Sequence, residues 1–469
     1  MTADNPESSL SVVILAAGAG TRMKSELPKP LHDVAGRPML AHVLDIARRI
    51  NPMDITVIGS PEIEAHLAAA SWALGTRVAV QNPPSGTADA VRVAIEAGAA
   101  GDTLLVLYAD HPLVTADILA ALVEGRDSSG GRLAVLTCVV DDAAGYGRID
   151  RDDQGRLRSI VEEVDDDESL RVGPTEINSG VMALDRDWAA GALATLKPNL
   201  RKNEFFLTDL VAVAYAADPD SVGSAKGTQE VLVGINDRFE LAVAEELLYG
   251  RKRRQLQQDG VTLNAPISNL IAVDAEIGQD TIIGPNCLIE AGTRIGRGCH
   301  IGPNSVIRAS SIGDRVHIDS STIENSTIGS DSDVGPYSHL RNDSALGTGV
   351  HIGNFVELKN ASIGDGVRVG HFSYLGDVSL GANVNIGAGT VTCNFDGIDK
   401  HRTDIGASAF IGSDTMLVAP VSIGAGARTG AGAVVTKDVA DGATVVGMPA
   451  RQVRRRPVDS PESSGKGGA

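Results

Sequence analysis

The first half of the chain alternates short apolar runs with segments of helical periodicity. The apolar runs occupy residues 11–16, 55–58, 103–108 and 133–139. Runs of this length are typical of buried strands in a parallel sheet. Apolar residues at three- and four-residue spacing predict helices in 40–50 and 88–97. The alternation predicts an α/β domain with a mostly parallel sheet, whose ligands bind at the carboxyl ends of the strands.

The second half follows a different period, because an aliphatic residue recurs every six positions. The series begins with Ile277, Ile283, Ile289, Ile295, Ile301 and Ile307, and it continues with one-residue slips to Ile423. A hexapeptide repeat predicts a parallel β-helix, in which each hexad forms one flat face and three hexads close a triangular coil. Residues 277–435 provide about nine coils, which span about 40 Å at a strand spacing of ~4.8 Å.

A linking helix is predicted between the two halves. Asp237 and Glu240 have the spacing of an N-terminal capping box, and Leu241, Ala244 and Leu248 follow as an apolar stripe. We therefore divide the chain into five segments. They are a flexible N-terminus at 1–9, the α/β domain at 10–236, a linker helix at 237–260, the β-helix at 261–451 and a low-complexity, disordered tail at 452–469.

Charge and cysteine content narrow the classes of partner. The 469 residues include 41 Lys and Arg against 60 Asp and Glu, a formal charge of −19. An excess of acid argues against nucleic acid or anionic membrane as the main partner, since both require basic surface. No window reaches the ~18 apolar residues of a membrane span. The four cysteines are far apart, which predicts reduced thiols and a cytoplasmic protein.

The first apolar run leads into a glycine-rich segment with basic residues. It reads Gly18-Ala-Gly20-Thr-Arg22-Met23 and is followed by Leu27-Pro-Lys29. Glycine lets backbone N–H groups approach phosphate closely, and Arg22 and Lys29 can neutralise a triphosphate. The spacing fits neither a Walker loop nor GxGxxG. The whole string resembles the signature of sugar-phosphate nucleotidyltransferases.

Further segments resemble parts of the same family in the same order. Residues 81–88 resemble its base-reading segment, and Tyr108-Ala-Asp110 places a carboxylate at a strand end, where it can bind Mg²⁺ with substrate phosphates. Segments 145–149, 161–162 and 178–180 resemble the sugar-binding parts, and 235–237 the part with a second metal ligand. With the hexapeptide repeats, residues 10–450 resemble the bifunctional GlmU family of N-acetylglucosamine-1-phosphate uridyltransferases and glucosamine-1-phosphate acetyltransferases.

The resemblance implies a Rossmann-like nucleotidyltransferase domain, a linker helix and a left-handed parallel β-helix. Uridylyl transfer from UTP to N-acetylglucosamine-1-phosphate releases pyrophosphate, and it needs positioning and charge stabilisation without a covalent nucleophile. Arg22 and Lys29 are expected to offset phosphate charge, and Asp110 and Asn236 to bind Mg²⁺. The residues expected to hold UTP or UDP-N-acetylglucosamine are Leu15, Ala16, Ala17, Gly18, Lys29, Gln81, Gly86, Thr87, Tyr108, Asp110, Gly147, Glu162, Asn178 and Asn236.

For the β-helix the resemblance implies acetyl transfer from acetyl-CoA to glucosamine-1-phosphate, at a site between subunits of a homotrimer. His371 is expected to be the general base, because imidazole exchanges protons near neutral pH. The N–H of Ala388 is expected to stabilise the oxyanion. The remaining expected contacts are Arg341 and Lys359 to the phosphate, Tyr374, Asn385, Asn394 and Phe395 to the sugar, and Ala388, Ser413 and Ala431 to CoA.

The chain departs from the family pattern at four places. Asp89 stands where His is usual, Pro30 where Val is usual, and Phe395 where Tyr is usual. The C-terminus has no counterpart of the family's CoA-binding Arg and late Trp. The candidates to replace them are Arg451, Arg454, Arg455 and Arg456.

Two alternative functions remain open from the sequence. One is a sugar nucleotidyltransferase whose β-helix only assembles the oligomer; the joint presence of His371, Lys359 and Arg341 argues against it. The other is a metal-binding solenoid of the carbonic anhydrase type, which requires three His at one zinc ion. His300 and His317 are one coil apart, but no repeated His triad is evident, so we expect these two to stack on the surface.

Overall fold

The computed structural model describes residues 9–18, 20–128, 131–166, 173–232 and 234–447. Most of the predicted flexible N-terminus, the predicted tail and the four C-terminal arginines lie outside these residues. The chain forms two compact units, Met1–Gln255 with Leu270–Val273, and Leu256–Asn269 with Asp274–Ala469. In the part of the chain that is described, no helix combines the length and the apolar character that crossing a membrane requires.

The first unit contains a sheet with helices on both faces. The helices are α1 Met39–Arg49, α2 Pro61–Ala69, α3 Thr87–Glu96, α4 Ala116–Ser128, α5 Arg186–Leu193, α6 Asp209–Ala217, α7 Gln229–Leu232 and α8 Arg238–Gln258, whose last turn passes into the second unit. The strands are β1 Leu10–Leu15, β2 Asp33–Val34, β3 Arg37–Pro38, β4 Asp54–Gly59, β5 Arg77–Val80, β6 Thr103–Tyr108, β7 Leu133–Val140, β8 Arg148–Arg151, β9 Leu157–Val161, β10 Thr175–Asp185 and β11 Val222–Lys226.

The main sheet has the order β11-β7-β10-β6-β1-β4-β5. The predicted strands and helices of this half are confirmed, and β1 pairs in parallel with both β4 and β6. The sheet is nevertheless mixed, because β10 runs antiparallel between β6 and β7. Side chains of β1 alternate between two cores: Val12 and Ile14 pack with α1, and Val13 packs with α3.

The predicted N-cap at Asp237 is confirmed, but the reciprocal bond of the capping box is displaced by one residue. Asp237 Oδ1 accepts hydrogen bonds from the N–H groups of Phe239 and Glu240, both at 2.9 Å. The Glu240 carboxylate accepts a bond in return from the N–H of Asn236, one residue before the cap. The cap therefore holds Asn236, which is one of the expected metal ligands.

From residue 262 onward the strands are short and regularly spaced. They are β12 Thr262–Leu263, β13 Leu270–Ile271, β14 Glu276–Ile277, β15 Ile282–Ile283, β16 Leu288–Ile289, β17 Arg294–Ile295, β18 His300–Ile301, β19 Val306–Arg308, β20 Ser311–Ile312, β21 His317–Ile318, β22 Thr322–Glu324, β23 Thr327–Ile328, β24 Asp333–Val334, β25 His339–Arg341, β26 Ala345–Leu346, β27 His351–Asn354, β28 Glu357–Ile363, β29 Arg368–His371, β30 Tyr374–Leu380, β31 Asn385–Ile386, β32 Val391–Cys393, β33 Thr403–Ile405, β34 Phe410–Ile411, β35 Met416–Val418, β36 Val421–Ile423, β37 Arg428–Thr429, β38 Val434–Val435 and β39 Thr444–Val445.

These strands form the predicted left-handed β-helix, in which each strand pairs in parallel with its equivalent one coil later. The aliphatic repeat stacks in register inside the prism, as in Ile301 on Ile318 and Ile318 on Val334, all buried. Burial of each such side chain contributes roughly 1.5–3 kcal/mol, so the stack stabilises the prism along its whole length. Among the described strands of the β-helix, the longest gap lies between β32 and β33, at residues 394–402, where the hexads are also interrupted in the sequence.

Two candidate active sites

In the first unit, three of the predicted residues converge on one point. The Lys29 ammonium forms an ion pair with Asp110 and donates a hydrogen bond to Asn236 Oδ1 at 3.0 Å. Lys29 belongs to a short turn after β1, Asp110 follows β6, and Asn236 precedes α8. The ammonium thus lies between two oxygen ligands, which marks this point as one that attracts positive charge.

The oxygens at this point fit a divalent cation. Asp110 Oδ1 is buried and has no hydrogen-bond partner among the described residues. Burial alone favours the protonated acid, but the charges of His111 and Lys29 outweigh it and hold the pKa of Asp110 below its ordinary value. Carboxylate and amide oxygens are preferred ligands of Mg²⁺, which completes its shell with water and substrate phosphate. Within the described ranges no cluster of three or more His, Cys, Asp or Glu offers an all-protein metal site.

The expected nucleotide residues lie at the same edge of the sheet. The N–H of Ala16 donates to Ile58 O at 2.8 Å, and the N–H of Gln81 donates to Gly59 O at 3.1 Å, so both segments attach to the end of β4. Gly20 has φ +57°, and a Cβ there would lie 2.6 Å from Lys29 Cβ. Glycine is therefore required for the turn to close on Lys29.

The expected sugar residues also come together. Asn178 donates its N–H to Gly147 O at 2.8 Å, and a Cβ on Gly147 would lie 3.5 Å from the Glu162 carboxyl group. Tyr108 lies against Gly180, near enough to Asp110 and Glu162 that burial, reinforced by their charges, raises the pKa of its hydroxyl. Tyr108 therefore links the cation end of the site to the sugar end.

In the β-helix, five residues form a single column of equivalent positions, which we call the His371 column. Asn354 is in register with His371. On the next coil, Arg368 pairs with Asn385 and Val369 pairs with Ile386. Continuing this register, Ala388 is the position that follows His371 in the column. Ser413 and Ala431 follow on the next two coils. A Cβ on Gly387 would lie 2.4 Å from the backbone N of Ser413, and a Cβ on Gly412 would lie 2.8 Å from the backbone N of Ala431. The expected base, oxyanion donor and CoA contacts therefore adjoin one another.

The His371 column has free hydrogen-bonding groups. The side chain of His371 is exposed and has no hydrogen-bond partner among residues 234–447. The N–H of Ala388 likewise makes no hydrogen bond to any described residue, although its carbonyl accepts a bond from the N–H of Asp414 at 2.7 Å. An unpaired imidazole and an unpaired backbone donor on adjacent coils can serve one substrate.

A second column carries the expected phosphate ligands. Arg341 is in register with Lys359, which is in register with Gly376 on the next coil. The Arg341 guanidinium donates two bonds to Glu357 Oε1, at 2.6 and 3.0 Å. We call this the Arg341 column; in the described part of the chain, no hydrogen bond or ion pair joins it to the His371 column.

The other residues expected to contact the sugar do not share one column of the β-helix. Asn394 donates to Asp377 Oδ2 at 2.5 Å, and Tyr374 lies beside it, since a Cβ on Gly376 would meet both side chains. Phe395 is 59 % exposed at the start of the interruption, and Asn385 lies in register between Arg368 and Phe410.

The expected stack of His300 and His317 is confirmed. The two rings are parallel, with centroids 4.7 Å apart. Because no cluster of three metal-binding side chains occurs among the described residues, the pair gives no support to the carbonic anhydrase alternative.

Three supporting residues were missed by the sequence analysis. Thr208 donates to Glu162 Oε1 at 2.7 Å, His111 lies beside Asp110, and Asp377 accepts bonds from Asn360 and Asn394. Only His111 carried a signal, its place directly after Asp110. Thr208 lies 46 residues from Glu162, and no pattern in the sequence relates the two.

Four family models match parts of the chain. Residues 12–148 match the MobA-like NTP transferase domain, and 267–363 match the GMPPB C-terminal domain. Residues 360–394 match the bacterial transferase hexapeptide repeats, and 402–437 match the hexapeptide repeat of succinyl-transferase. The first model covers the predicted nucleotide segments, and the last two cover the His371 column from His371 to Ala431.

Several relatives named "Bifunctional protein GlmU" are similar over nearly the whole chain. The protein from Heliobacterium modesticaldum is 45% identical over 440 residues, which cover 93% of this chain and 95% of the relative. The proteins from Sorangium cellulosum and Thermodesulfovibrio yellowstonii are 42% and 41% identical, and cover 93% and 92% of this chain and 93% and 94% of their own. The similarity therefore includes both units.

Proposed function

Since the chain belongs to the GlmU family of bifunctional enzymes that transfer acetyl and uridylyl groups, we propose that the two sites described above divide these reactions between them. The β-helix acetylates glucosamine-1-phosphate with acetyl-CoA. The first unit then joins N-acetylglucosamine-1-phosphate to UTP and releases pyrophosphate. The observation that carries the assignment is the convergence of Lys29, Asp110 and Asn236 at the nucleotide edge of the sheet.

In uridylyl transfer, an oxygen of the sugar phosphate attacks the α-phosphorus of UTP, and the bond to pyrophosphate breaks. Lys29 and Arg22 offset the charge that develops on the phosphates. Arg22 is exposed on its turn and forms no ion pair within the described residues, so its guanidinium is available. Gly147, Glu162 and Asn178 orient the sugar, which sets the direction of attack.

Asp110 and Asn236 would hold Mg²⁺ through Asp110 Oδ1, the oxygen without a partner, and Asn236 Oδ1. The ion would neutralise charge on the substrate phosphates. Lys29 adds a positive charge at the same point, and the bond from the N–H of Asn236 to the Glu240 carboxylate keeps Asn236 in place.

In acetyl transfer, the amine of glucosamine-1-phosphate attacks the thioester carbon of acetyl-CoA. The C–N bond forms, the C–S bond breaks, and His371 carries the proton from the amine to the departing thiolate. The N–H of Ala388, one coil away, receives the oxyanion. Arg341 and Lys359 bind the sugar phosphate, Tyr374, Asn385, Asn394 and Phe395 line the sugar, and Ser413 and Ala431 contact CoA.

The separation of the two columns supports a homotrimer as the acetylating species. The His371 column lies along strands β27, β29 and β31 and the Arg341 column along β25, β28 and β30, and in the proposed trimer each column faces the other column of a neighbouring subunit. Four free cysteines, of which three are buried, favour a reducing compartment, and we place the enzyme in the cytoplasm.

The experiment that tests this function begins with the β-helix. Protein is mixed with acetyl-CoA and glucosamine-1-phosphate without UTP, and the free CoA thiol is followed. Sugar-dependent thiol release is expected, and the product should then support pyrophosphate release with UTP and Mg²⁺. If pyrophosphate is released from UTP and N-acetylglucosamine-1-phosphate but no thiol appears, the β-helix is a scaffold and the enzyme is a nucleotidyltransferase only.

A further inference from the structure

Gln81 is held in one orientation by neighbours that can only accept hydrogen bonds. Its Nε2 donates to Gly86 O at 3.0 Å and to Asp89 Oδ2 at 2.8 Å. The side chain is 5 % exposed, so water cannot replace these partners freely. An amide turned by 180° would place its oxygen against a carbonyl and a carboxylate, which is repulsive. The NH₂ group therefore faces Gly86 and Asp89.

Asp89 is itself fixed on the first turns of α3. Its carboxylate forms an ion pair with Arg92, which also binds Glu96 Oε1 at 2.9 Å. These three residues lie at three- and four-residue spacing on one helix face. Asp89 is 11 % exposed while Glu96 is 61 % exposed, so the two carboxylates bind the same arginine from different environments.

This arrangement leaves one free group on Gln81, its carbonyl oxygen. Oε1 has no hydrogen-bond partner among the described residues, and it is not among the enclosed polar atoms that lack one, so solvent or a ligand can reach it. On the edge of a uracil base in a nucleotide, the only N–H donor is N3–H. Cytosine carries a lone pair at N3 instead, which would face the oxygen unfavourably.

We propose that Asp89 is a positioning residue for base selection, because it keeps the Gln81 carbonyl oxygen turned toward N3–H of uracil. The inference rests on the proposed role of Gln81 in holding UTP. Asp89 does not touch the base. It acts by removing the alternative amide orientation, in which the NH₂ group would donate a hydrogen bond to N3 of cytosine and so favour that base over uracil. The departure of residue 89 from the family pattern thus has a physical role in this chain.

The test compares two carboxylate-to-amide changes on the same helix. Asp89→Asn keeps the shape of the side chain but lets it accept or donate, so Gln81 can turn over. Glu96→Gln is the matched control, since it removes the other carboxylate bound to Arg92 and does not reach Gln81. The measurement is kcat/KM for UTP and for CTP with N-acetylglucosamine-1-phosphate, with melting temperature as a check on folding.

Asp89→Asn should lower the UTP/CTP ratio of kcat/KM about tenfold, mainly through KM for UTP, as loss of one oriented hydrogen bond predicts. Glu96→Gln should leave the ratio within about twofold, because the pair that it removes is exposed. An unchanged ratio in Asp89→Asn, in a wild-type enzyme that prefers UTP, would overturn the inference alone. A wild-type enzyme that uses CTP as readily as UTP would overturn the base-reading role of Gln81 as well.

Discussion

The two candidate sites are built in different ways. In the first unit, loops after three separate elements bring Lys29, Asp110 and Asn236 to one point within a single chain. In the β-helix, the repeat places each side chain directly above its equivalent, so that the expected residues fall into two columns. Loops of an α/β domain can converge on a point, whereas a solenoid arranges groups along lines.

The largest expected effect comes from removing one group from each site. His371→Ala should lower acetyl transfer by about a thousandfold, the middle of the range for loss of a general base, and leave uridylyl transfer within about twofold. Asp110→Ala should lower uridylyl transfer by at least about a hundredfold and leave acetyl transfer intact. Thiol release and pyrophosphate release, measured on the same preparations, give both rates.

Each activity serves as the folding control for the other in this pair. Asp110 is partly buried and bound to Lys29, so Asp110→Asn, which keeps its shape, provides a second check. Loss of both activities in either variant, with an unchanged melting temperature, would contradict two independent sites. It would instead indicate that the two halves act as one catalytic unit.

The sequence predicted the strands and the stacked repeat better than it predicted which distant residues meet at one site. The bounds of β6 are those of the apolar run 103–108, and the six-residue repeat reproduces the stacking of Ile301 on Ile318. Both follow from local periodicity, which a chain carries wherever it is buried. Strand β10 was not among the predicted strands, so the antiparallel pairing that makes the sheet mixed was not predicted either.

The meeting of Lys29, Asp110 and Asn236 was expected from the family resemblance and not from any periodicity in the sequence. Lys29 and Asn236 are 207 residues apart, and no spacing rule relates them. The hydrogen bond from Gln81 to Asp89 spans only eight residues, yet it was also missed. It depends on how the loop before α3 turns back on itself, which side-chain packing decides and hydrophobic patterning does not encode.

An intermediate effect is expected from the Arg341 column. Lys359→Ala should raise KM for glucosamine-1-phosphate about tenfold, because one charge-assisted contact to the phosphate is lost, while kcat changes little. Arg294→Ala is the matched control, since Arg294 is an exposed basic residue on an earlier coil and is paired with the exposed Glu276. A larger loss of kcat than of apparent affinity would place Lys359 at the reacting atoms and not at the phosphate.

The smallest effect is expected at Phe395, where the interruption of the repeat begins. The ring is 59 % exposed, so Phe395→Tyr adds a hydroxyl group without burying a polar atom and should leave the melting temperature unchanged. If the ring lines the sugar pocket, the new hydroxyl group should lower KM for glucosamine-1-phosphate about threefold, the lower end of what one hydrogen bond contributes. Uridylyl transfer should not change.

The control for this change is Phe355→Tyr. Phe355 is 61 % exposed on the same solenoid, but it stacks on Tyr337 and is not among the expected sugar contacts. A similar gain from both variants would mean that added surface polarity, and not the sugar pocket, causes the change. A gain from Phe395→Tyr alone would show that the loop at 394–402 brings a side chain away from the regular columns and into contact with the substrate. Loops in the α/β unit place their site residues in the same way.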